Sequence, residues 1–99
     1  MLKLSHKKNA DHLDLFLEGA LDSQTSLELQ EYLNKNMEGI NVLTMHFGKL
    51  DYISSAGIRV LLTWDKTLGK NGRLEITGVN DIIRDTFDVT GLLDILTII

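Results

Sequence analysis

The chain has no cysteine among its 99 residues. Disulfide cross-links, thiol nucleophiles and thiolate metal ligands are therefore excluded, and nothing calls for an oxidising compartment. No run of eighteen or more apolar residues occurs, so no membrane span is expected. The opening Met1-Leu2-Lys3-Leu4-Ser5-His6-Lys7-Lys8 is too polar for the apolar region of a signal peptide, which makes the cytoplasm the expected location. Concentrated positive charge is missing too. Ten Lys and Arg stand against fourteen Asp and Glu, giving a net charge of −4, and Lys7-Lys8 is the only adjacent basic pair. That scatter argues against a nucleic-acid surface. His6, His12 and His46 show no close ligand spacing, so no metal is expected. A glycine-rich phosphate loop and a paired-carboxylate constellation are also absent, and no cofactor or catalytic chemistry is expected of the chain.

What is present suits one compact α/β domain over residues 1–99, with 43% hydrophobic content to build a core. Leu13, Leu15 and Leu17 alternate with more polar neighbours, and Asn9-Ala10-Asp11 precedes them as a turn. Residues 2–18 thus read as a hairpin with a polar edge strand, closed by Gly19. A helix is expected from Ser23, with Asp22, Ser23 and Thr25 as N-cap candidates and Thr25-Ser26-Leu27-Glu28 at capping-box spacing. Its apolar stripe is Leu29, Leu33 and Met37, and Gly39 terminates it. Residues 40–47 follow as a central strand, semi-apolar on both faces. A second helix spans about 55–70, stopped by Asn71-Gly72, and residues 73–78 alternate as a strand. A third helix over 81–88 buries Ile82, Ile83, Thr86 and Phe87, and residues 95–99 form a last strand. The order β-β-α-β-α-β-α-β implies a mixed, mostly parallel sheet of five strands with helices mainly on one face.

The densest signal is Tyr52-Ile53-Ser54-Ser55-Ala56-Gly57-Ile58-Arg59, where an apolar run hands over directly to an amphipathic helix. Serines at that junction serve as helix caps, and they also stand where a helix dipole favours negative charge. Phosphate added there is stabilised and switches the charge of a surface. The sequence argues against a hydrolase elbow. Gly-x-Ser-x-Gly around Ser55 has Ile53 in place of its first glycine, and no histidine follows His46. Gly57 in the first turn of a helix marks a close approach, either of packed backbone or of a partner. Asp22 sits at the other strand-to-helix connection, which a one-sided layout brings to the same sheet edge as the serines. Trp64 is open to core-rim and interface readings alike, and Arg59 is either a solvated charge or a partner contact.

Glu18-Gly19-Ala20-Leu21-Asp22, Leu50-Asp51-Tyr52-Ile53-Ser54-Ser55-Ala56-Gly57-Ile58 and Phe87-Asp88-Val89-Thr90-Gly91-Leu92, in that order, resemble the motifs of STAS domains of the bacterial anti-sigma-factor antagonist type. The resemblance covers roughly residues 10–99. It implies a non-enzymatic switch that binds a GHKL-kinase-type anti-sigma factor and frees a sigma factor. Phosphorylation by that kinase ends the binding, and a serine phosphatase restores it. Counted back from Gly57, the acceptor is Ser55, with Asp22 matching the family's strand-end aspartate. Asp22, Ser54, Gly57, Ile58 and Arg59 fall on the implied partner-binding surface. A monomer or weak dimer is expected, and the composition points to no membrane or nucleic-acid contacts. Ser54 stands where the best-known members carry an aspartate, and no C-terminal helix follows the last strand. A STAS interaction or ligand-binding subunit of a signalling or transport complex, never phosphorylated, is the alternative.

Overall fold

A computed structural model describes residues 2–99. Strand β1 (Leu2–Asn9) turns at Ala10-Asp11 into β2 (His12–Leu21), and the two pair antiparallel. Then follow helix α1 (Ser23–Asn36), β3 (Val42–Ile53), α2 (Ser55–Leu68), β4 (Arg73–Thr77), α3 (Asp81–Val89) and β5 (Thr97–Ile98). The sheet order is β1-β2-β3-β4-β5, with every pair after the first parallel. Each crossover steps to the next strand in one direction. Right-handed connections therefore lay all three helices on the same face.

Strand alternation divides the sheet. Leu13, Leu15, Leu17, Leu43, Met45, Phe47, Leu74 and Ile76 face the helices and are buried. They meet Leu29 and Leu33 of α1, Val60 and Leu61 of α2, and Ile83 and Phe87 of α3 in a single core. The opposite face is uncovered by helices and carries a polar network across three strands. His46 Nε2 donates to Asp14 Oδ1 at 2.9 Å, His12 Nε2 lies 2.8 Å from Thr44 Oγ1, and Thr44 Oγ1 donates to Glu75 Oε1 at 3.2 Å. The topology thus unites two histidines that chain spacing keeps apart. Among the described residues, no group of three or more His, Asp and Glu converges as metal ligands.

The sheet and helix order are as expected, while several boundaries move for identifiable reasons. Gly19 does not close β2. It lies inside the strand at φ 116°, a conformation that favours glycine, next to a register shift, and pairing continues to Leu21. The strand expected over 40–47 begins at Val42 and runs on to Ile53. In this extension two register shifts replace the period of two by a period of three, so that Phe47, Leu50 and Ile53 are all buried while Gly48, Lys49, Asp51 and Tyr52 are exposed. Ile82 is 66% exposed rather than buried, because the inward positions of the short α3 are Ile83 and Phe87, and Ile82 lies about 100° round the helix from Ile83. The final strand is only Thr97–Ile98, since the Ile95 and Leu96 N–H groups both donate back to the Leu92 carbonyl, at 3.1 and 2.8 Å. Trp64 is half-buried and packs against the core.

Candidate functional site

Parallel strands joined by same-face helices bring all three strand-to-helix junctions to the edge where the strands end. Three short polar residues cap the three helices there: Asp22 on α1, Ser54 on α2 and Asn80 on α3. Extended backbone at each cap turns a small side chain back onto the first helical N–H groups. The three positive helix ends consequently share one edge.

The first two junctions are joined directly. Ser54 N–H donates to the Leu21 carbonyl at 2.7 Å, so the serine loop lies beside the residue that precedes Asp22. Ser54 Oγ accepts from Gly57 N–H at 3.3 Å, which makes Ser54 the cap of α2. Ser55 is the first residue of α2, exposed, and its side chain is not the cap. Gly57 is buried. A Cβ added to it would lie 2.8 Å from Ile53 Cγ1 and 3.0 Å from Leu21 Cβ, so its glycine lets the start of α2 settle onto the ends of β2 and β3. Ile58 is half-buried and Arg59 exposed. Asp22, Ser54, Ser55, Ile58 and Arg59 thus surround one junction, with Gly57 beneath them.

Asp22 is held by a reciprocal capping box. Its Oδ1 accepts from Thr25 N–H at 2.9 Å and Gln24 N–H at 3.0 Å, while Thr25 Oγ1 accepts from Asp22 N–H at 2.8 Å. The box uses Thr25 as its far member and not as its cap, three residues earlier than the Thr25–Glu28 spacing predicts. The Thr25 backbone N–H is the main cause that holds the Asp22 carboxyl below its ordinary value of 3.8, and the Thr25 hydroxyl adds to it. A carboxyl whose pKa is lower folded than unfolded stabilises the fold above the unfolded value. That contribution disappears as pH falls through the folded value. Thermal melts between about pH 7 and about pH 2 should therefore show a steeper acid limb for wild type than for Asp22→Asn, which keeps the cap without the charge. Asp22→Ala should melt lower than both at neutral pH. Superimposable acid limbs for wild type and Asp22→Asn would show that the charge contributes nothing.

Asn80 is the residue that the sequence reading missed. Its Oδ1 accepts from Ile83 N–H at 2.8 Å, and its Nδ2 donates to the Leu50 carbonyl at 3.0 Å, tying the third junction to β3. The signal was available: an asparagine directly before Asp81-Ile82-Ile83 is a helix-start pattern. Between α1 and α2, a groove of about 220 Å³ extends from this edge past Ser26, Leu27, Ala56 and Arg59. Leu27 is largely exposed beside it, while the buried Ser26 Oγ has no hydrogen-bond partner.

Comparison with known proteins agrees with this architecture. The family model described as STAS domain matches residues 3–99. The chain is 32% identical over 95 residues to a protein of Listeria monocytogenes named anti-sigma-B factor antagonist, covering 93% of this chain and 82% of the relative. The crystal structure of an anti-sigma factor antagonist from Mycobacterium paratuberculosis superposes with a TM-score of 0.88 at 15% identity, over 99% of this chain and 85% of that one. The Bacillus cell fate determinant SpoIIAA, solved in its phosphorylated form, superposes with a TM-score of 0.75 at 16% identity, over 98% and 91% of the two chains.

Proposed function

The chain belongs to the STAS domain family, and from that footing we propose that it is an anti-sigma factor antagonist switched off by phosphorylation of Ser55. One observation carries the switch: Ser55 is exposed as the first residue of α2, while the neighbouring Ser54 does the capping. Its hydroxyl is free to be modified without dismantling the helix start. The Listeria relative's name supports the antagonist role, and the Bacillus structure supplies a phosphorylated example of this fold.

In the unmodified state, a kinase-type anti-sigma factor docks over Asp22, Ser54, Ile58 and Arg59, and Gly57 keeps that surface low by close packing. The partner supplies ATP and the phosphoryl group. A phosphate carrying a charge of about −1.5 to −2 at Ser55 then faces the docked surface, beside the Asp22 carboxylate. The helix dipole stabilises it within the free chain. The partner meets repulsion and a desolvation cost, and leaves. A serine phosphatase resets the switch.

Affinity capture from the native cell, with intact-mass analysis of the recovered chain, tests this reading. An ATP-binding anti-sigma factor should be captured by the unmodified chain. Incubation of the two with ATP should add one phosphate, mapped to Ser55 and absent from Ser55→Ala. A chain that stays unmodified with its captured partner and ATP, or modification at Ser54 alone, would overturn the assignment.

A further inference from the structure

The open face of the sheet holds a hollow of about 710 Å³, on the side away from α1, α2 and α3. The first register shift between β2 and β3 builds it. Across that shift Phe16 pairs with His46, but Glu18 pairs with Lys49, so β3 carries one residue more than β2. The extra residue places Gly48 and Lys49 together on the exposed side. A Cβ on Gly48 would meet nothing within 4 Å, so the space above it is empty of protein.

The walls are chemically distinct. Phe16 stacks on His46 with ring centroids 4.4 Å apart and planes 13° from parallel. The imidazole is fixed from behind by its bond to Asp14. In the sheet register, Phe16 stands between His46 on β3 and the small Ser5 on β1. Phe16 is 36% exposed, and it and Ser5 both line the hollow. Lys3 and Glu18 form a loose pair at 3.9 Å in the next row, and Lys49 has no ion-pair partner among the described residues. Two lysines against one glutamate leave the rim with one net positive charge.

We propose that this hollow is a small-molecule site for a flat aromatic monocarboxylate, its ring against Phe16 and its carboxylate on Lys49. A stacked aromatic wall suits a planar apolar body, and a single uncompensated ammonium suits one negative charge. The Glu18 carboxylate opposes a polyanion, which limits the class to molecules bearing one carboxylate.

Fluorescence titration with naphthoate tests the site. Saturable one-to-one binding is expected, with neutral naphthalenemethanol binding about tenfold more weakly. Lys49→Gln should erase that difference, and Phe16→Leu should weaken both probes. Gly48→Leu, which fills the hollow from its floor, should abolish binding while thermal melting confirms the fold. Failure of naphthoate to saturate wild type would overturn the site, as would unchanged affinity in a folded Gly48→Leu. Equal binding of charged and neutral probes by wild type would overturn the carboxylate assignment. Were Gly48→Leu to unfold, the Phe16→Leu and Lys49→Gln titrations decide the matter alone.

Discussion

Ser55→Asp should bind the anti-sigma factor at least about a hundredfold more weakly than wild type, while Ser55→Ala stays within a few-fold of it. A difference of about 3 kcal/mol is enough, since every 1.4 kcal/mol is tenfold. The physical case rests on where the charge lands. Ser55 is exposed in the first turn of α2, and Ser54 N–H reaches the Leu21 carbonyl, one residue from Asp22. A second carboxylate there concentrates negative charge on the surface that the partner must cover and dehydrate. Within the free chain the same charge is favourable, because an acidic residue in the first turn of a helix stabilises it by about 0.3–1 kcal/mol. Ser55→Asp should therefore lose partner binding without melting lower. That combination separates a switch from ordinary damage. Ser54→Ala should instead melt lower, losing a cap worth roughly 1 kcal/mol of stability while retaining the acceptor. Isothermal titration of the four proteins at physiological salt, paired with thermal melts, reads both quantities. Equal affinities for Ser55→Asp and Ser55→Ala would remove the switch.

Regular periodicity accounts for what was legible in the sequence. Leu13-Leu15-Leu17 and Leu43-Met45-Phe47 follow the pleat, and those segments form the central strands as expected. Legibility stops where the backbone leaves the pleat. Beyond Phe47, burial recurs every third residue through Leu50 and Ile53, because two register shifts each add a residue to β3. A two-residue template ends the strand there, although pairing continues to the edge that presents Ser55. Gly19 misled in the same way, since a glycine that relieves a shifted register resembles one that ends a strand. The Phe16–His46 stack and the His46–Asp14 bond depend on which strands become neighbours, and no spacing along the chain encodes that. Ser55 and Asp22 were visible as junction residues. Their joining through Ser54 and Leu21 follows from two parallel strands that end level, Leu21 paired with Ile53 once the shifts have absorbed the two extra residues of β3.

Gly57 was open to two readings, close packing or contact with a partner, and its substitution separates them. Gly57→Val should lose on the order of 3 kcal/mol, since overpacking typically costs 1–3 kcal/mol and valine adds two methyl groups beyond the Cβ. Against a total stability of about 5–15 kcal/mol, that is a large fraction of the fold. For a domain of this size it lowers the melting temperature by roughly 10–20 °C. Gly57→Ala is the more informative change, because two terms of opposite sign compete. Alanine gains up to about 1 kcal/mol of helix propensity. Its Cβ, however, meets Ile53 Cγ1 at 2.8 Å and Leu21 Cβ at 3.0 Å, where neither atom is the free end of a side chain. The contact should win, and Gly57→Ala should destabilise. Ile53→Ala removes the nearer obstacle at its own cavity cost of about 2–5 kcal/mol. In that background Gly57→Ala should turn neutral or stabilising, with a coupling energy of about 0.5–3 kcal/mol. Urea unfolding of the wild type, both single variants and the double variant measures it. Additive effects would refute the packing account. Partner titration completes the separation: a Gly57→Ala protein that melts like wild type yet no longer binds would assign the glycine to the interface, whereas binding that falls only as the melting temperature falls assigns it to the seat on which Ser55 is presented.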